Sequence, residues 1–284
     1  MIVLIGLGLL CYPWISNYLY ENSVDSTVKV YEKSVEEIDA EELEAMLEEA
    51  REYNRNLESS ARVQLTDPFI AAEEEEQDSS YDSILNLNGD GMICSVEIPK
   101  IDVSLPVYHS TASDVLDRGA GHLEGSSFPV GGPDTHAVIS AHTGLNRAKM
   151  FTDLVDLEEG DLFFIKILNE TLAYRVCDIN VVLPNDTSLL QIQEGRDLVS
   201  LVTCTPYGQN THRLIVTGER TEYTEEVEEE ARSQTSDATS QWMDEYRKAL
   251  LVGLLIILIT VIVSKVSRKI KERKKYRPWR RGGI

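Results

Sequence analysis

The chain has 284 residues, 42% of them hydrophobic, and carries 48 Asp and Glu against 27 Lys and Arg, a formal net charge of −21. So acidic a body argues against nucleic-acid binding, because phosphate contacts need basic surface. The balance is uneven: from Lys265 onward there are ten basic residues and one acid, Glu272.

The first stretch, Met1-Ile2-Val3-Leu4-Ile5-Gly6-Leu7-Gly8-Leu9-Leu10-Cys11, continues apolar to Ile15. It lacks the positive n-region of a signal peptide, and no Ala-x-Ala-like cleavage site follows. An uncleaved signal anchor over 1–19 is therefore expected ahead of a cleaved signal. Either one puts the acidic middle outside the cell. Val28, Tyr31, Val35 and Ile38 then recur at helical spacing. Asp39, with Glu42 three residues on, opens a second helix with the stripe Leu43, Met46, Leu47, Ala50, Tyr53 and Leu57. Residues 24–58 thus read as two amphipathic helices with glutamate-rich wet faces.

Residues 59–90 lose this period. Asp67-Pro68-Phe69 stands there among polar residues and an acid run at 73–76, the composition of a flexible loop. From Met92 the texture changes to short apolar runs, with strands predicted at 92–98, 101–107, 136–141, 162–168, 171–183, 198–204 and 213–220. Helical or turn segments are predicted near 113–118 and 147–156. Many short strands without βαβ alternation predict a mainly β domain over 92–222, a largely antiparallel barrel or sandwich.

An acidic, Ser- and Thr-rich tether is predicted at 223–247, followed by a membrane helix at 248–266 and a basic tail at 267–284. The uncharged core of that helix, residues 249–264, is slightly short of the roughly 17–25 residues that span a bilayer. Trp242, Tyr246 and the stems of Lys265 and Lys269 extend the match at the interfaces. The positive-inside bias assigns the tail to the cytoplasm.

The chemistry gathers near the end of the β domain. An apolar run stops at Cys204, breaks at Thr205-Pro206-Tyr207-Gly208 and restarts at Arg213-Leu214-Ile215. Two strands joined by that loop put a thiol and a guanidinium at one end of a sheet, with strands roughly 5 Å apart. The other cysteines (Cys11, Cys94, Cys177) have neither metal-type spacing nor a disulfide framework, so neither a metal nor a cofactor is expected. A lone thiol beside a turn in an exterior protein invites a catalytic explanation, and it needs a histidine. Among His109, His122, His136, His142 and His212, His142 ends an apolar run beside a turn as Cys204 does. His212, next to Arg213, is a second candidate.

These residues carry a resemblance. Leu201-Val202-Thr203-Cys204-Thr205-Pro206-Tyr207 followed by Arg213 resembles the Thr-Leu-x-Thr-Cys signature of sortases, the Gram-positive surface transpeptidases, with Ser200 in place of its first Thr. Ser140-Ala141-His142-Thr143-Gly144 resembles their histidine segment. Ile98-Pro99-Lys100-Ile101, Gly121-His122-Leu123-Glu124-Gly125 and Asn210-Thr211-His212-Arg213-Leu214 extend the likeness over roughly 92–220. The Asp67-Pro68-Phe69 triplet, the paired N-terminal helices and the two membrane segments resemble the class C, pilin-polymerising members.

The resemblance implies a closed β-barrel of about 7–8 strands with short helices, preceded by two helices and a lid loop and flanked by membrane helices. It implies Cys204 as nucleophile, His142 as acid and base, and Arg213 as holder of the substrate and the oxyanion. Asp67, Pro68 and Phe69 become a lid, with Asp67 paired to Arg213 and Phe69 over Cys204. The implied partners are pilin subunits with a Leu-Pro-x-Thr-Gly-like signal and an acceptor lysine, met at the extracellular face of the membrane. The same thioester would also serve attachment of proteins to a cell-wall precursor, or plain hydrolysis by a cysteine protease. Sequence leaves those alternatives open.

Overall fold

The computed structural model describes residues 2–59, 65–70, 80–145, 148–233 and 241–275. Parts of the expected loop (60–64 and 71–79, with its acid run), of the tether (234–240) and of the tail (276–284) lie outside the described residues, as do the side chains of residues 1–10, Trp242 and Tyr246. Two units are distinguished, 1–240 and 241–284.

In the first unit, helix α1 (Ile2–Glu36) runs without a break, Pro13 included, and α2 (Ala40–Ser59) follows after a short turn. Asp39 caps α2 by accepting from the N–H groups of Glu41 and Glu42 at 3.1 and 3.0 Å, which satisfies two otherwise orphaned donors. The α1 stripe Val24, Val28, Tyr31 and Val35 is buried. Tyr31 ties the helix to the β domain, donating its O–H to the Ile93 carbonyl at 2.8 Å and accepting from the Leu168 N–H at 3.1 Å. Asn54 does the same for α2, with both amide atoms bonded to the Phe128 backbone at 2.7 and 3.0 Å.

Eight strands close the expected barrel: β1 (Met92–Ile98), β2 (Val103–His109), β3 (Ala120–His122), β4 (Thr135–Ser140), β5 (Leu162–Ile167), β6 (Glu170–Val182), β7 (Asp197–Thr205) and β8 (His212–Thr221). Their order around the barrel is β1-β2-β3-β4-β7-β8-β6-β5. Most pairs are antiparallel, but β2–β3 and β4–β7 are parallel. The three-residue β3 escapes sequence reading because it is too short to show a period. Residues 99–101 form a 3₁₀ turn, so β2 begins at Val103 and not at 101. A one-turn helix, α3 (Ser113–Leu116), and a 3₁₀ turn at Thr152–Asp156 occupy the predicted helical segments. After the barrel, the acidic segment begins as a helix, α4 (Glu225–Ser233), whose Ala231 is buried against Leu162, Phe164 and Ala173.

Alternation along the strands sorts side chains between two cores. Val199, Leu201, Leu214 and Val216 join the main cluster with Ile139, Phe163, Ile165 and Tyr174. Their neighbours Val138, Val202 and Ile215 form a second, outward cluster with Leu65, Leu123 and Leu190. Each fully buried side chain of this size contributes roughly 1.5–3 kcal/mol.

Three histidines are used in this framework. His109 bonds the carbonyls of Gly91 and Ile84, and His136 bonds Ser200 and the Gln191 carbonyl. His122 stacks on Phe128 at 4.9 Å. Its Nε2 donates to the Ser127 carbonyl at 2.8 Å, which leaves Nδ1 to accept from the Tyr81 hydroxyl at 2.9 Å. Burial pushes its pKa from 6.5 down to about 4. Between those two values the unfolded chain binds a proton that the folded chain refuses. Stability present above pH 6.5 is therefore lost as pH falls through that window, at about 1.4 kcal/mol per pH unit. Urea unfolding at pH 7 and pH 5 should show this fall, and His122→Gln should flatten it in part; His109 and His136, also lowered by burial, supply the remainder.

The second unit holds helix α5 (Gln241–Lys275). Its segment Leu250–Lys271, 22 residues with a mean hydropathy of 2.6, is the one helix among the described residues long and apolar enough to cross a membrane.

Candidate active site

Cys204 and Arg213 stand directly opposite each other in the β7–β8 ladder. The parallel β4–β7 ladder pairs Ser140 with Val202 and continues through the Ala141 N–H to the Val202 carbonyl at 3.2 Å. Thr203 Oγ1 then donates to the Ala141 carbonyl at 2.8 Å. Two residues beyond Ser140, His142 thus reaches the level of Cys204. The two-residue period matters here. Cys204 shares the face of Val202, and Arg213 that of Ile215, so both belong to the outside of the barrel above the second apolar cluster.

The Asp67-Pro68-Phe69 segment covers this edge. Asp67 takes two bonds from Arg213, Nε to Oδ1 at 2.8 Å and Nη2 to Oδ2 at 2.6 Å. The Asp67 side chain is only 1% exposed. Its Oδ1 also accepts the Phe69 N–H at 3.2 Å, an Asx turn that the Asp-Pro sequence favours. The Phe69 ring lies 6.0 Å from the His142 ring and 5.1 Å from the Arg213 Cζ. Leu65 buries in the outward cluster, and its carbonyl accepts from Thr187 Oγ1 at 3.1 Å. All six sequence-predicted residues therefore meet in one place.

The thiol's environment acts on its pKa in both directions. Burial raises the Cys204 pKa, the Asp67 carboxylate adds to that, and Arg213 opposes it. Arg213 in turn has its guanidinium occupied by Asp67 and by the carbonyls of Asn210 and His212. His212 faces Thr205 across the ladder and bonds Thr211, at the rim. It is His142, not His212, that lies against Phe69.

Comparisons with known proteins agree with this geometry. The sortase domain matches residues 96–221. Sortase C-1 from Actinomyces oris is 44% identical, with a TM-score of 0.61, and the match covers 64% of this chain and 99% of that structure. Sortase C from Streptococcus pneumoniae is 40% identical, with a TM-score of 0.63, over 70% of this chain and 98% of that structure. The chain belongs to the sortase family. Sortase A of Staphylococcus aureus is a more distant relative, 25% identical over 74% of this chain and 86% of its own length. The protein is a cysteine transpeptidase.

Several further contacts support the residues expected from sequence. Gly144, at φ +72, faces the Tyr207 ring, where an added Cβ would stand 3.5 Å away. The Phe151 N–H holds the His142 carbonyl at 3.1 Å, and Thr152 Oγ1 accepts the Gly144 N–H at 3.0 Å. Thr187 anchors the covering segment from 122 residues away in sequence. Gly144 next to the histidine was a usable signal; nothing in the sequence marked the others.

Proposed function

We propose that this sortase polymerises pilin subunits, with Cys204, His142 and Arg213 as its catalytic residues. The carrying observation is their approach on the outer face of the barrel beneath a segment tied to Arg213. The match to the Streptococcus pneumoniae enzyme, a structure described in terms of pilin substrate specificity, supports the choice of substrate.

In this reading the Cys204 thiolate attacks the Thr carbonyl carbon of a Leu-Pro-x-Thr-Gly-like signal. The Thr–Gly bond breaks, and protonated His142 gives its proton to the departing glycine amine. A pilin lysine amine then attacks the thioester, loses a proton to His142, and forms an isopeptide bond as the thiolate leaves. Arg213 holds the oxyanion in both steps through charge-assisted hydrogen bonds. It does so after Asp67 has let go of Nε and Nη2, because Nη1 is held by the Asn210 and His212 carbonyls. The apolar cluster of Val138, Val202 and Ile215 would receive the Leu and Pro of the signal where Leu65 now lies. Helix α5 anchors this domain at the outer face of the membrane, with the basic tail in the cytoplasm.

The test uses full-length enzyme with a sorting-signal peptide and three amine conditions: none, a pilin domain bearing its lysine, and a cell-wall-precursor glycine amine. Mass spectrometry should find the isopeptide product with the pilin, formed in preference to hydrolysis. Hydrolysis indifferent to either amine would make it a protease, and preference for the precursor amine would make it a wall-anchoring sortase.

A further inference from the structure

The loop that carries His142 returns to the barrel through residues 148–152, and that return is fixed unusually firmly. The Phe151 N–H bonds the His142 carbonyl, and Thr152 Oγ1 bonds the Gly144 N–H, so any shift of 148–152 is passed to the histidine. Between the anchors Met150 adopts φ +44, a left-handed conformation that is strained for a non-glycine residue. Such a residue persists where its neighbours over-determine it. The neighbours here are bonded on both sides: the Phe151 N–H to His142, and the Lys149 N–H to Asn17 Oδ1 of α1 at 2.8 Å.

Asn17 is oriented for that task. Its amide nitrogen donates to Glu21 Oε1 at 2.7 Å, which turns the amide oxygen toward Lys149. The Lys149 ammonium lies 3.2 Å from Asp153 Oδ2 and also bonds the Ile101 carbonyl. The Asp153 side chain is 3% exposed, and its Oδ1 has no hydrogen-bond partner. A buried carboxylate so placed depends on its cation, because an unpaired buried charge is strongly destabilising.

We infer that Asn17 and Lys149 are positioning residues for His142, and that helix α1 is thereby part of the active site. The chain of contact is Asn17 to the Lys149 N–H, Lys149 to Asp153, and the 148–152 segment to the His142 carbonyl. The inference rests on the reading of His142 as the acid and base.

The experiment uses the full chain and compares Asn17→Ala, Asn17→Asp, Lys149→Arg, Lys149→Met and His142→Ala. It follows kcat, KM, the pH–rate profile and the thermal midpoint. Asn17→Ala is expected to lower kcat on the order of tenfold, inside the 10²-fold that a 1 Å misplacement can cost. KM should stay within about twofold, and the limb of the pH profile assigned to His142 should move. Lys149→Arg retains the cation and should recover most of kcat; Asn17→Asp retains the acceptor oxygen but loses the Glu21 bond and meets its carboxylate, so it should recover only part. Lys149→Met should lose more kcat than its lost folded fraction explains. If His142→Ala is inactive while Asn17→Ala and Lys149→Met lose activity only in proportion to unfolding, with the pH profile unmoved, the positioning inference fails alone. An active His142→Ala overturns the reading beneath it as well.

Discussion

Cys204→Ala is expected to remove transpeptidation entirely, by at least 10⁴-fold, while the protein stays folded. Removing an attacking nucleophile has cost on the order of 10⁶ in kcat elsewhere, because no other group can form the acyl intermediate. Folding should hardly notice. Cys204 is half-buried near the end of β7, and its ladder to β8 is made by backbone groups the substitution keeps. Intact-mass analysis with sorting-signal peptide is the direct measurement: wild-type enzyme should accumulate a thioester adduct in the absence of an amine, and Cys204→Ala should show none. A variant that still joined peptide to lysine would remove Cys204 from the mechanism and leave the Arg213 edge without its chemistry.

The second large effect is expected from Asp67→Ala combined with Phe69→Ala. In the resting arrangement burial raises the thiol pKa, Arg213 lowers it and the Asp67 carboxylate raises it. Removing Asp67 deletes one raising cause and leaves the lowering by Arg213 unopposed by it; removing the Phe69 ring lessens the burial of the edge. All three changes act in the same direction. A fall of one pKa unit gives about tenfold more thiolate at neutral pH, so alkylation of Cys204 by iodoacetamide should accelerate on the order of tenfold. Peptide cleavage should rise with it. Unchanged alkylation and unchanged cleavage would show that the segment is no lid. Arg213→Lys separates the two roles of the guanidinium, since an ammonium keeps the charge but not the two-pronged geometry. It should loosen the segment and still lower turnover.

Much of this could be read from residue order. The strand runs, the helical stripes of residues 24–58 and the Cys204–Arg213 spacing all follow from local periodicity, and they correspond to the barrel, to α1 and α2, and to one register pair. What could not be read was long-range. β3 is three residues long and parallel to β2, so no alternation announces it. The bonds of Asn17 to Lys149 and of Thr187 to Leu65 join segments more than a hundred residues apart, through polar residues that look like ordinary surface. The helix at 225–233 hid inside an acidic composition that suggests a tether, because its buried contact is a single small residue, Ala231, beside the half-buried Val227. The resemblance of its segment separates His142 from His212 in the sequence; the Phe69 ring beside it is a contact that no local pattern shows.

The segment bonded to Arg213 belongs to the same chain as Cys204, and this has a consequence for what can reach the thiol. A tethered occupant competes at an effective concentration in the millimolar range, whatever the amount of enzyme. A freely diffusing peptide at micromolar concentration meets that competitor at a large disadvantage. A substrate that is itself confined to the same membrane, or fixed at the growing end of a polymer, meets it on nearly equal terms. On the proposed function, the Asp67–Arg213 contact would favour neighbours over strangers, by local crowding and not by any feature of the sorting signal.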